Sequence, residues 1–452
     1  MIPGSSAPRG LCGTAAGGDF TQRVTNTFMV GVYLATNALR DATTLVEGPD
    51  CAHMKTQFVQ GNHDWLSTLT SVSGHHRIAN TALHPVHMTK SREEAVRVTL
   101  SRIAAHPSTG GVLLTSMPMA DITGADYDRI CREVAADKGT AVVHVPGRSL
   151  SGDWMDGYAE VLTSLARHLD LSGGTPDPRK VAIVGYLFDR NEGDHRANVR
   201  EMRRILKALD LDPVSIWLEG QDFAELAAVR DAGVILSFPY GRKAARNLAR
   251  RTGARLLECD LPFGLTATET FVRMLGRELQ REAQAAALLD RELADIVPPL
   301  EFVIPWIFQN RRLGYLGDPV LARGMAQTAE LLGASLDFAV ISNPKHHVRD
   351  LAALLGPGTE LLVYPRLKRM VDFLRERVAE HRVSLLVSTS AGLGMLPTGQ
   401  PATVEFGFPS FHNHALGDRP FLGFRGVLPF IDSMANAMRL GEVSHWATRY
   451  WG

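Results

Sequence analysis

Short runs of uniformly apolar residues, each closed by turn residues and followed by an amphipathic stretch, recur along this chain and restrict it to α/β folds. GVLLTS (111–116) and TAVVHV (140–145) are two such runs. A strand apolar on both faces is a parallel strand covered by helices on each side. Before them, Ser91 to His106 reads as a helix opened by a capping box, Ser91 with Glu94, with Val96, Leu100 and Ile103 on one face. After SGGTPDPRK (172–180), a linker by composition, the cycle restarts. KVAIVG (180–185), PVSIWLEG (213–220), GVILSFPYG (233–241) and the edge ARLLECDLPFG (254–264) read as strands. Helices are expected near Asn198–Leu209, at DFAELAAVRDAG (222–233) and at RKAARNLARRTG (242–253). A third cycle runs through RRLGYLGDP (311–319), a helix to Leu332, LDFAVIS (336–342), TELLVYP (359–365) and VSLLVSTS (383–390). The expected architecture is α/β, with three Rossmann-like domains and mostly parallel sheets over residues 1–176, 177–295 and 296–412.

Charge and motifs narrow the function classes. Lys plus Arg equals Asp plus Glu, 48 each, so no global field steers the chain to nucleic acid. The N-terminal stretch has no apolar signal region, and no run of about 18 apolar residues exists. A cytoplasmic protein that does not enter a membrane is expected. Neither GxGxxG after a first strand nor GxxxxGK[ST] is present, so direct nucleotide binding has no support. The cysteines Cys12, Cys51, Cys131 and Cys259 are scattered, without a CxxC pair. Cys131 falls at a core-facing helical position and Cys259 at a strand edge, where burial is the ordinary outcome.

Several segments, taken in order, resemble the component 1 superfamily of nitrogenase, which includes the molybdenum–iron protein subunits, cofactor-assembly homologues and the tetrapyrrole reductases. VEGPDC (46–51) is similar to a family loop whose Cys binds an interface cluster. LLTSMPMADITGAD (113–126) resembles the segment that carries another cluster Cys. RRLGYLGDPVLARGMAQTAELLGAS (311–335) is like the family's strand, Gly-Asp-Pro turn and helix. FGFPSFHNHALGDRPFLGFRGVLPFIDSMANAM (406–438) resembles its C-terminal turn and last helix, and FPYGRKAARNLARRTG with LPFGLTATETFVRML (261–275) its middle domain. The resemblance also implies that the terminal helix of 413–452 returns to the first domain.

Departures from the pattern are equally informative. The slots of two further cluster cysteines fall near Asn26 and Pro118, and those of the active-site metallocluster ligands near Ser237 and Leu422. The chain therefore most resembles the ligand-poor subunit of the tetrapyrrole reductases. That implies Gly48, Pro49 and Cys51 forming a loop that supplies one ligand to an iron–sulfur cluster, of the 4Fe-4S type, shared between subunits. A thiolate binds iron strongly, and Gly48-Pro49 would let the backbone turn tightly against the cluster. The implied partners are a P-loop iron protein, which binds the ATP that this chain does not, and a second component 1-like subunit in an α2β2 heterotetramer. A homodimer in which Cys12 adds a second ligand is the alternative. The implied function is electron-accepting reductase subunit; a non-catalytic scaffold for metallocluster assembly fits nearly as well. Six histidines lie between residues 51 and 90, His53, His63, His75, His76, His84 and His87, without metal-ligand spacing. His63 and Asp64, which follow the cluster loop, and His412 or His414, in FPSFHNH, are the candidate proton donors or substrate contacts.

Overall fold

A computed structural model describes residues 19–50, 52–70, 76–148, 151–381, 383–396 and 401–451; of 52–55, 381 and 443–451 it describes only the helical backbone. Cys12, Cys51 and His75, and the side chain of His53, thus lie outside the described residues.

Thirteen described strands form three sheets in which every strand pair is parallel. The first has the order β2-β1-β3-β4, with β1 at Ala42–Glu47, β2 at Ile78–Asn80, β3 at Gly111–Ser116 and β4 at Ala141–Val145. The second is β6-β5-β7-β8, from β5 (Asp177–Val184), β6 (Asp212–Ile216), β7 (Ala232–Ser237) and β8 (Arg255–Glu258). The third is β11-β10-β9-β12-β13, from β9 (Arg312–Gly317), β10 (Ser335–Ile341), β11 (Glu360–Val363), β12 (Leu385–Ser388) and β13 (Ala402–Glu405). These are the three Rossmann-like units expected. Every residue of β1 and β3 is buried, as strands covered on both faces require.

Three local expectations are corrected. The helix Glu93–Ala104 is preceded by Arg92 and has no side-chain cap, because Glu94 pairs with Arg97 instead of reaching back to Ser91. Its apolar face is as read: Val96 and Leu100 are buried. Phe223–Asp231 winds as a 3₁₀ helix, since its buried residues Phe223, Leu226 and Val229 recur every third position, the period of that helix. Among the described residues, the C-terminal helix Gly423–Trp451 packs chiefly on β13 and on the helices Gly193–Ala208 and Leu265–Glu278, in the second and third units. Its buried face of Phe424, Val427, Phe430, Ile431 and Met434 joins the core that runs through all three units. Removing so many apolar side chains from water favours that seat, at about 1.5–3 kcal/mol for each one fully buried.

Candidate functional site

The three units meet at a narrow cleft with a cavity of about 70 Å³. One wall comes from the loop after β5, where LFDRNEGDHRAN (187–198) leads into the helix Gly193–Ala208. Strand and helix bury this loop despite its charge: Asp189, Arg190, Glu192, Asp194 and His195 are all buried. A second wall is aromatic. Phe406 lies 5.2 Å from Phe421 and 4.8 Å from Phe430, centroid to centroid, and stacks on Phe263 at 5.2 Å. Phe406 is delivered by the turn after β13, Phe421 and Phe430 by the C-terminal helix and its lead-in, and Phe263 by the loop after β8, which is why that helix sits where it does.

The charged wall gathers four proton-bearing groups, with the His63–Asp189 step too long for a direct hydrogen bond. His63, fully buried, has its Nδ1 3.0 Å from the Ser410 backbone nitrogen and 3.1 Å from the Ser410 carbonyl oxygen, and turns its Nε2 toward Asp189. That Nε2 lies 3.6 Å from Asp189 Oδ1. His195 Nε2 is 2.6 Å from the same oxygen, and His195 Nδ1 is 2.8 Å from the Tyr186 hydroxyl, to which Asn198 Nδ2 donates at 3.0 Å. Burial alone would raise the Asp189 carboxyl, but His195 and then His63 hold it well below the ordinary range. Burial pulls His195 the other way, yet Asp189 and Asp194 raise it above the ordinary imidazole value. Across the cleft Asp318 accepts the backbone N–H groups of Val320 and Leu321 (2.8 and 3.2 Å) and the Tyr240 hydroxyl (3.2 Å). Burial nevertheless pushes it up to about 6. Two carboxyls in one cleft thus titrate in separate ranges, Asp189 well below the ordinary value and Asp318 at about 6.

The candidates read from sequence divide. His63 lines the cleft. Asp64 does not: Oδ2 accepts from Asn37 Nδ2 (2.7 Å) and from Asn191 N and Nδ2 (2.9 and 3.0 Å), while Oδ1 accepts Leu66 N. It positions the loop that carries Asp189. His412 is exposed, its backbone N–H held by Glu405 Oε2 at 2.8 Å. His414 is bound to Glu192 Oε1 at 2.7 Å and stacks on Trp65 at 3.7 Å, which ties the C-terminal turn to the first unit. Asp189, His195 and Tyr186 were not read from sequence. The signal was there as six charged or titratable residues, Asp189, Arg190, Glu192, Asp194, His195 and Arg196, directly after a buried strand.

Gly48 closes β1 in a buried position, bonded through its N to Thr81 Oγ1 (3.2 Å) and through its O to Leu83 N (2.9 Å). A Cβ there would come 2.8 Å from Met117 Sδ, so Gly48 lies against the residue before Pro118. Pro49 is half-buried and Asp50 exposed. Cys131 and Cys259 are buried as expected, and burial pushes both thiols up to about 12, which keeps them protonated. Ser237 and Leu422 are fully buried and supply no thiol or imidazole.

This fold and cleft define a class of three-unit α/β proteins with a site where the units converge. The model of the nitrogenase component 1 type oxidoreductases matches residues 27–439, and the chain belongs to that family. It is similar to a nitrogenase molybdenum-iron protein beta chain of Frankia alni, 23% identical over 364 residues, covering 72% of this chain and 66% of that relative. It is also similar to light-independent protochlorophyllide reductase subunit N of Heliobacterium modesticaldum, 24% identical over 344 residues, 67% of this chain and 72% of that one. A third relative is the nitrogenase iron-molybdenum cofactor biosynthesis protein NifN of Rippkaea orientalis, 21% identical, covering 75% and 78%. A solved structure of nitrogenase Cp1 at pH 6.5 shares the fold with a TM-score of 0.78, covering 96% of each chain at 16% identity. No helix among the described residues is long and apolar enough to cross a membrane.

Proposed function

We propose that this chain is the catalytic-component subunit of a nitrogenase-like reductase, acting in the cytoplasm on an organic substrate held in the inter-unit cleft. The observation that carries the reading is the His63–Asp189–His195–Tyr186 set, which brings a charge-supported imidazole to a partly aromatic cleft. The donor set argues for an organic substrate. Ser237 and Leu422 do not fit a resident active-site metallocluster, and no step is assigned to one.

The residues fit a cluster shared at an interface in a limited way. Gly48 lets the backbone pass close to Met117, and Cys51 follows it by three positions; the two thiols among the described residues are protonated core groups. Cys51 would therefore supply one ligand of an iron–sulfur cluster, with the others coming from a second component 1-like subunit or, in a homodimer, from the partner's copy and Cys12. When bound, that cluster supplies single low-potential electrons from a P-loop iron protein, which hydrolyses the ATP. This chain's own part is to bind the substrate against Phe406, Phe421 and Phe430 and to move protons. Asp189 would keep the His195 ring charged and the Tyr186 hydroxyl would hold its other nitrogen, making the ring a proton reservoir beside the cleft. Asp318, poised near neutrality, is a second acid on the opposite wall.

Asp189→Asn tests the assignment. It should leave the cluster's EPR signal intact while slowing substrate-dependent electron flux by about 10²–10⁴-fold, the usual contribution of a positioned acid. Unchanged flux would remove these groups from the mechanism. The second reading, a non-catalytic assembly scaffold, is favoured by the similarity to NifN. It predicts transfer of a metallocluster to an acceptor protein and no sustained flux.

A further inference from the structure

A second group of donor side chains lies outside the cleft, where the helix Trp154–His168 of the first unit begins beside the turn Lys345–His347 of the third. His346 Nε2 is 3.0 Å from Asp156 Oδ1, and His347 Nε2 is 3.5 Å from Asp156 Oδ2. The ligand atoms of these three residues all lie within 4.8 Å of one another, and the two imidazole rings are 4.0 Å apart. A tetrahedral zinc site, with bonds of about 2.0–2.2 Å, places neighbouring donor atoms roughly 3.3 Å apart, so this constellation needs only a small contraction.

The surroundings are those of a supported site. Asp153 Oδ1 caps the helix through Met155 N (3.0 Å) and Asp156 N (3.2 Å) and sits 3.1 Å from His347 Nε2. Its other oxygen is held by Asn343 Nδ2 at 2.5 Å. Asn343 is fully buried here, and its own Oδ1 has no hydrogen-bond partner. The site is also reachable: His346 is 45% exposed, and His347 lines a separate cleft between the second and third units. Two imidazoles and a carboxylate are borderline donors, which suit zinc and exclude calcium or magnesium as the preferred ion.

We infer that Asp156, His346 and His347 form a divalent-metal site of the zinc type that clips the first unit to the third, with a fourth position open to water. It uses none of the four proton-bearing groups of the cleft, so it stands or falls independently of that reading.

Cobalt(II) titration of the full-length chain, followed by visible d–d absorption and by displacement with zinc, tests it. The expected result is one ion per chain with nitrogen and oxygen ligands and no thiolate charge-transfer band. His346→Gln should weaken binding at least tenfold while leaving the buried Asp153–His347 contact and the apo thermal midpoint intact; His347→Gln should weaken it as much. The exposed pair His84 and His87 serves as control, and H84Q/H87Q should bind as the wild type does. No stoichiometric binding, a thiolate band, or binding that survives His346→Gln overturns the inference.

Discussion

Asp189→Asn perturbs stability as well as flux, and the structure sets its size and pH dependence. Asp189 is buried between His195, 2.6 Å away, and His63, 3.6 Å away, with Arg190 and Asp194 in the same loop. Breaking a buried ion pair by removing one partner costs about 3–5 kcal/mol. The pH window follows from the two shifts. The carboxyl is held low, so its contribution is present above the ordinary carboxylate value, 3.8, and is lost as pH falls through the lowered one. His195 is held high, so its contribution is complete below the ordinary imidazole value, 6.5, and is lost as pH rises through the raised one. Both charges coexist at mildly acidic pH, and there the variant loses most. Unfolding entropy of about 2.1 cal/mol/K per residue makes 1 kcal/mol worth roughly 1 °C in a chain this long, if it melts as one unit. The thermal midpoint of Asp189→Asn should therefore fall by about 3–5 °C at pH 5.5, and by clearly less at pH 9. An equal deficit at both pH values would refute the ion-pair reasoning and leave Asp189 as a packing residue.

Asp318 gives the opposite sign: a carboxyl raised to about 6 weakens the fold as pH rises from the ordinary value through that midpoint, by roughly 3 kcal/mol at about 1.4 kcal/mol per unit. Asp318→Asn, which keeps an acceptor for Val320 N and Leu321 N, should flatten that slope, seen as a gain in midpoint at pH 8 but not at pH 4. Gly48→Ala drives a methyl against Met117 and should cost about 1–3 kcal/mol by overpacking, with loss of bound iron and sulfide; Met117→Ala in the same chain should restore both. Anaerobic EPR should lose the interface-cluster signal in Cys51→Ala and keep it in Cys131→Ala, whose thiol is core-buried. Cys12→Ser in the chain expressed alone separates the assemblies, since cluster loss supports the homodimer and indifference supports a second subunit.

Much of the scaffold could be read from the chain because each strand of a doubly covered sheet is written locally. β3, β5, β7 and β9 are short buried runs with turn residues at their ends, and pairing order changes none of that. What could not be read depends on how the units converge. The loop 187–198 has the composition of a solvated surface, yet the C-terminal turn closes over it through His414 and Ala415 on Glu192 and through Asn413 O on Arg190. Only that closure turns a run of charges into a buried set of proton-bearing groups. For the same reason Asp64 was legible as notable but not in its place: its two oxygens are spent on Asn37, Asn191 and Leu66, partners up to 127 positions away. The seat of the C-terminal helix was misread because its apolar face suits any apolar neighbour, and only the aromatic cluster of Phe263, Phe406 and Phe430 selects one.

On the proposed function, electrons would pass from an ATP-hydrolysing iron protein through the Cys51 loop to this chain. Stopped-flow reoxidation of a reduced iron protein, mixed anaerobically with ATP and with this chain co-expressed with its cluster-bearing partner, measures that step directly. ATP-dependent reoxidation with the wild type, lost in Cys51→Ala while the assembly stays intact, is the result predicted. Reoxidation that is absent with the wild type, or equally fast in Cys51→Ala, contradicts the account.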